Sequence, residues 1–155
     1  MRIRLCAESE SVVKILISAC LLGVRCRYDG QSKAYPGIEE LGKKHILIPV
    51  CPEQLGGLST PRPPAERQGE HVMTASGTDV TFQYQRGAEE VLRLCRLLGC
   101  EAAVLKERSP SCGRGRIYDG THSGTLVTGD GVTAELLTAQ GIAVYGESQV
   151  DELLK

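Results

Sequence analysis

Short apolar runs alternate along this chain with stretches of a different period. Residues 14–19 (Lys14-Ile15-Leu16-Ile17-Ser18-Ala19), 46–50 (Ile46-Leu47-Ile48-Pro49-Val50), 102–105 (Ala102-Ala103-Val104-Leu105) and 142–145 (Ile142-Ala143-Val144-Tyr145) are rich in aliphatic and β-branched residues and show no polar alternation. Such runs suit strands buried on both faces of a sheet. Between them the pattern turns helical: Val91, Leu94, Cys95 and Leu98 recur at helical spacing over 84–98, Glu89, Glu90, Arg93 and Arg96 face away, and Gly99 supplies a left-handed stop. Shorter helices are predicted over 37–44 behind Pro36, over 133–140 before Gly141, and from about 149 to 154. Strands alternating with helices predict an α/β protein, a three-layer Rossmann-like fold with a mostly parallel sheet.

The remaining segments read as loops and edges. Residues 71–74 and 79–82 flank Ala75-Ser76-Gly77-Thr78 and predict a small hairpin at the sheet edge. Residues 55–69 carry Gly56, Gly57, Pro61, Pro63 and Pro64 and read as an irregular loop, of a length that is often functional. Residues 1–12 have no period and carry Glu8, Ser9, Glu10 and Ser11, so they read as a flexible extension ahead of one domain over 13–155.

Composition narrows the class. A chain of 155 residues with 41% hydrophobic residues suffices for one core and one domain. Eighteen basic against 19 acidic residues leave no polyanion-binding footprint, which argues against nucleic-acid polymers as partners. No apolar stretch approaches the roughly 20 residues that span a bilayer, and the first residues lack a signal-peptide core, so the expectation is a cytoplasmic protein without a membrane partner. In a reducing compartment, seven irregularly spaced cysteines point to metal or catalytic use rather than to a disulfide framework.

Three of those cysteines, Cys20, Cys51 and Cys112, follow the apolar runs at 14–19, 46–50 and 102–105. The carboxyl ends of parallel strands share one edge of the sheet, so the three thiols are expected to converge. The chain has no C-x-x-C pair, which argues against closed structural zinc. Three thiolates suit an iron–sulfur cluster with one open iron, or a catalytic zinc. Glu53, two residues beyond Cys51, is placed to move protons, although capping the helix behind Pro52 is the simpler role. Ser109 or Ser111 could bind substrate or orient water, and Gly129-Asp130-Gly131-Val132-Thr133 opens a helix whose amides could hold an anion. Cys26 is a further thiol in the loop after Cys20. Cys95 reads as core, Cys6 and Cys100 as incidental, and His45, His71 and His122 as structural or surface groups. Arg25, Arg27 and Arg62 are candidates for a phosphate or for plain surface charge.

A set of motifs then carries a resemblance over about 14–148: Ser18-Ala19-Cys20-Leu21-Leu22-Gly23, Cys26-Arg27-Tyr28-Asp29-Gly30, Pro49-Val50-Cys51-Pro52-Glu53, Gly56-Gly57-Leu58-Ser59-Thr60-Pro61-Arg62, Lys106-Glu107-Arg108-Ser109-Pro110-Ser111-Cys112-Gly113 and Gly131-Val132-Thr133-Ala134. In order and spacing they resemble the thiouracil desulfurases, also called desulfidases. The resemblance implies an enzyme with a 4Fe-4S cluster on Cys20, Cys51 and Cys112, one iron left open, and Glu53 and Ser109 as catalytic side chains. It implies non-redox removal of sulfur from 2-thiouracil or 4-thiouridine monophosphate, giving the oxygen analogue and sulfide. Substrate sulfur would bind the open iron while water attacks the carbon. The implied partners are a small thiolated nucleobase or nucleotide and the cluster-assembly machinery. Two other readings stand beside it: a cluster-free sulfurtransferase using a cysteine persulfide, and a metal- or cluster-binding module without turnover.

Overall fold

The structure is a computed structural model that describes residues 11–155. The expectation for an amino-terminal extension therefore lies, through residue 10, outside the described residues. In chain order the elements are β1 (Lys14–Ser18), α1 (Ile38–Lys44), β2 (Ile46–Val50), α2 (Pro52–Leu55), β3 (Ala65–Gln68), β4 (His71–Thr74), α3 (Thr81–Leu98), β5 (Ala102–Leu105), β6 (Arg116–Tyr118), β7 (Leu126–Thr128), α4 (Val132–Ala139), β8 (Ala143–Gly146) and α5 (Val150–Leu154). Short 3-10 turns occupy Ala19–Leu22 and Glu147–Gln149.

The four predicted apolar runs form one parallel sheet in the order β2-β1-β5-β8. Lys14 lies opposite Ile46 and Ser18 opposite Val50, while Ile15 to Ile17 pair with Ala102 to Val104. Side chains alternate between faces along a strand. Ile15 and Ile17 accordingly pack with Ile38 and Leu41 of α1 and Val150 of α5, and Leu16 packs on the other side with Val91 and Cys95 of α3 and Ala134 and Leu137 of α4. Both faces are covered, which is why β1 shows no polar alternation. Ile15, Leu16 and Ile17 are fully buried, each contributing about 1.5–3 kcal/mol by leaving water. A one-residue slip would move every side chain of β1 to the opposite helical layer, so its register is strongly specified.

The structure differs from the sequence reading at the edges. The hairpin pairs β3 with β4, Gln68 opposite His71, around a tight turn in which Gly69 is left-handed. It thus takes in residues 65–68, read from sequence as loop. The prolines stop at Pro64, and beyond them the chain is free to donate to a ladder. Residues 81–82, read as the second arm, belong instead to α3. The Asp79 carboxylate accepts the Thr81 N–H, and Thr81 Oγ1 accepts the Val72 N–H, so polar bonds start the helix a turn before its apolar stripe. The glycine-rich stretch behind Cys112 holds a second hairpin, β6 with β7.

α2 meets α3 through backbone. A Cβ on Gly87 would lie 1.9 Å from the Pro52 carbonyl oxygen, and one on Gly56 would lie 1.9 Å from the Gln83 carbonyl oxygen. This contact sets the position of α2, which carries Glu53. Gly87→Ala removes a glycine from a helix interior, a gain of about 1 kcal/mol, yet forces the two helices apart. The expected outcome in urea denaturation is a net loss of about 1–3 kcal/mol; unchanged stability would mean that the helices separate at no cost.

Candidate active site

β1 lies between β2 and β5, so the chain leaves β1 toward one side and later returns on the other. Ligands of open α/β sheets bind in the crevice beyond the strand ends at such a reversal. Ser18 ends β1, and its Oγ accepts the N–H of Lys106 just past β5 at 2.9 Å. The 3-10 turn behind Ser18 carries Cys20, Cys51 caps α2 directly after β2, and the turn behind β5 carries Ser109, Ser111 and Cys112. All of them, with Cys26 and Glu53, line one pocket of about 530 Å³.

The thiols occupy one region of that pocket. Cys26 lines the pocket with Cys20 and Cys51, and Cys51 Sγ donates to the Cys26 carbonyl oxygen at 3.7 Å. Cys112 is 4% exposed, and its Sγ lies 3.6 Å from Ser111 Oγ. Burial pushes the Cys112 thiol up to about 12. Cys51 is raised well above the ordinary thiol range, first by its bond with Cys26 and then by burial. Without a compensating cation these groups stay neutral, because a buried thiolate carries a desolvation cost that only convergent positive charge offsets. Among the described residues, no three His, Cys, Asp or Glu side chains are gathered tightly enough to hold a single metal ion. A cluster, in which each cysteine takes a different iron, asks for a wider spread of thiols than mononuclear zinc does. Cys20, Cys51 and Cys112 have that donor chemistry, and the structure brings Cys26 beside them.

Glu53 is held from three directions. Its Oε1 accepts from Arg62 Nε and from the Tyr84 hydroxyl, both at 2.9 Å, and its Oε2 accepts from Ser111 Oγ at 2.9 Å. Glu53 stands in the first turn of α2, yet its carboxylate turns to these side chains rather than to the helix amides. Arg62 is itself anchored, donating Nη1 to the Ser59 carbonyl and Thr60 Oγ1 and Nη2 to the Cys26 carbonyl. The pair is largely buried, with side-chain exposures of 5% for Arg62 and 14% for Glu53. Such a pair is sustained when its remaining donors are satisfied, as they are here. Burial, with Glu53 nearby, raises the Tyr84 phenol and keeps it a donor.

Ser109 Oγ accepts the N–H groups of Ser111 and Cys112 at 3.2 and 3.1 Å and lies 3.0 Å from Ser111 Oγ. The expected anion site at 129–133 is not available. The amides of Val132, Thr133 and Ala134 already donate to the carbonyls of Pro110 and Ser111, so the start of α4 holds the serine turn in place. Gly131 permits this, because a Cβ there would lie 2.5 Å from the Ser111 carbonyl carbon. Arg27 lines the pocket, Arg62 is committed to Glu53, and Arg25 is not part of the wall. Cys95 packs in the core between the sheet and α3. His71 pairs with Asp79 and His122 with Glu66. Sequence reasoning missed Tyr84, Ser18 and the part played by Arg62. The available signals were slight: a polar-tipped residue on the buried face of α3 and a lone serine ending an apolar run.

Comparison with known proteins agrees with this geometry. A family model described as 2-thiouracil desulfurase matches residues 15–149. YbbK of Bacillus subtilis (strain 168), described as uncharacterized, is 45% identical over 150 residues, covering 90% of this chain and 99% of its own. The solved structure of the [4Fe-4S]-dependent thiouracil desulfidase TudS is 53% identical and superposes with a TM-score of 0.85, covering 91% of this chain and 95% of its own. The similarity spans the sheet, both helical layers and every segment that lines the pocket, and this chain belongs to the 2-thiouracil desulfurase family.

Proposed function

We propose that this protein removes sulfur from a small thiolated pyrimidine, 2-thiouracil or 4-thiouridine monophosphate, giving the oxygen analogue and sulfide. The observation that carries this reading is one pocket that joins strand-end thiols to a carboxylate held by three donors. Cys20, Cys51 and Cys112 would hold a [4Fe-4S] cluster with one iron free of protein ligands. Three thiols on one pocket wall have the donor chemistry of such a centre, and the similar protein TudS is [4Fe-4S]-dependent. When bound, such a cluster supplies a Lewis acid with affinity for sulfur.

The remaining chemistry belongs to side chains. Arg62 and Tyr84 fill Glu53 Oε1, which leaves Oε2, with one donor, as the oxygen that takes a proton from the attacking water. Ser109 faces the same pocket and supplies a proton to the ring or to the departing sulfur. The pocket closes on apolar walls from Val50, Pro52 and Ala65, which strengthens each of these polar contacts. No external electron donor enters this scheme. Loading by cluster-assembly machinery and residence in the cytoplasm fit it. Among the described residues no helix is long and apolar enough to cross a membrane.

Two measurements test the reading. After anaerobic purification, iron per chain and visible absorption are expected to be lost in Cys20→Ser, Cys51→Ser and Cys112→Ser and kept in Cys95→Ser and Cys100→Ser. A protein active without iron, with a single essential cysteine, would instead establish the persulfide alternative. Glu53→Gln, with its iron retained, is expected to lower kcat on 2-thiouracil by about 100-fold or more; wild-type turnover in that variant would remove Glu53 from the chemistry.

A further inference from the structure

The hydrogen-bond chain beside the thiols has a direction. Ser109 Oγ accepts two backbone N–H groups, from Ser111 and Cys112. A hydroxyl has two acceptor positions and one proton, so in the 3.0 Å contact with Ser111 Oγ it is Ser109 that donates. Ser111 then has one proton of its own and two neighbours to receive it, Glu53 Oε2 at 2.9 Å and Cys112 Sγ at 3.6 Å. The shorter, charge-assisted bond to the carboxylate prevails over the longer contact with sulfur, a weak acceptor. The resting chain therefore runs one way, from Ser109 through Ser111 to Glu53. In that state Ser109 has neither a proton nor a lone pair to offer the pocket. Ser111 is 1% exposed, and the first amides of α4 pin its carbonyl.

Resting on the reaction proposed above, we infer that Ser111 is a positioning residue that makes Ser109 a proton donor only after Glu53 has accepted a proton. Once water has given a proton to Glu53 Oε2, that oxygen becomes a donor to Ser111. Ser111 then turns its O–H to Ser109, where it displaces the longer of the two amide bonds, that from the Ser111 N–H at 3.2 Å, and Ser109 turns its own proton to the bound ring. As the substrate takes the Ser109 proton, Ser109 takes that of Ser111, and Ser111 takes that of Glu53. One O–H bond breaks at the carboxyl group, one bond to hydrogen forms on the ring nitrogen or departing sulfur, and no electrons are transferred. The carboxylate is restored. The chain thus orders the two proton steps: the nucleophile forms first, and the leaving side is protonated second.

The test uses cluster-loaded wild type, Ser111→Ala, Ser109→Ala and the double variant, with 2-thiouracil as substrate and turnover expressed per cluster. Iron per chain and calorimetric binding of uracil are measured on the same samples. Ser111→Ala is expected to bind uracil within about threefold of wild type and to keep KM within about threefold, while kcat falls about 30- to 300-fold. The double variant is expected to be no slower than the slower single variant, since the two hydroxyls act as a unit. In mixtures of H2O and D2O the wild-type rate is expected to give a curved proton inventory and Ser111→Ala a linear one. Wild-type kcat in Ser111→Ala, or a double variant slowed by the product of the two single factors, overturns the inference while leaving the proposed reaction standing. Wild-type turnover in both Glu53→Gln and Ser109→Ala overturns this inference through the roles given to those side chains, whereas release of no sulfide from 2-thiouracil or 4-thiouridine monophosphate by the cluster-loaded wild type overturns the proposed reaction, and this inference with it.

Discussion

The buried ion pair of Arg62 with Glu53 is the contact on which the pocket depends. Glu53 belongs to α2 and Arg62 to the proline-rich loop behind it. Through their further bonds the pair reaches Tyr84 on α3, Ser111 in the turn after β5 and the Cys26 carbonyl in the loop after β1. One carboxylate and one guanidinium thus tie together four segments that are far apart in the chain. Removing one partner of such a pair leaves an uncompensated charge, at a cost of about 3–5 kcal/mol. The same contacts that hold the segments together also give one carboxylate oxygen two donors and the other only Ser111, so stability and reactivity rest on one set of bonds.

Around that pair the backbone is brought unusually close. The glycine contacts between α2 and α3 and the approach of Gly131 to Ser111 leave no room for a Cβ. Both serve the same end. The first fixes the distance between Glu53 and Tyr84, and the second lets the amides of α4 take the Ser111 carbonyl, so the serine turn is held by main chain rather than by flexible side chains. Sites built on regular elements and locked by a second layer of bonds keep their geometry better than sites left to mobile loops.

The thiols add the opposite kind of constraint. Cys51 is pushed above the ordinary range first by its partner Cys26 and then by burial, and Cys112 by burial. These thiols line the same pocket as the anchored carboxylate. Burial pushes the Cys95 thiol up as well, to about 11, but Cys95 packs among apolar residues of the sheet and α3 and is not part of the pocket wall.

The central sheet was legible in the chain because burial on both faces leaves a plain mark, an apolar run without alternation, and α3 was legible because one buried face leaves a period. Strand order then brings Cys20, Cys51 and Cys112 to one edge, so their meeting followed from local pattern and a general rule of parallel sheets. The β3–β4 hairpin was misplaced, because Pro61 to Pro64 outweighed the four ladder-competent residues behind them, and the early start of α3 rests on Thr81 and Asp79, polar residues without periodicity. The amino-acid sequence by itself determined the fold class, the thiol-bearing strand ends and, through its motifs, the family. Only the tertiary structure decided that Arg62 and Tyr84 hold Glu53, that Cys26 joins the other thiols and that Ser111 links Ser109 to the carboxylate. Those partners lie as much as 58 residues apart, and hydrogen bonds across such separations follow from packing rather than from any local period in the chain.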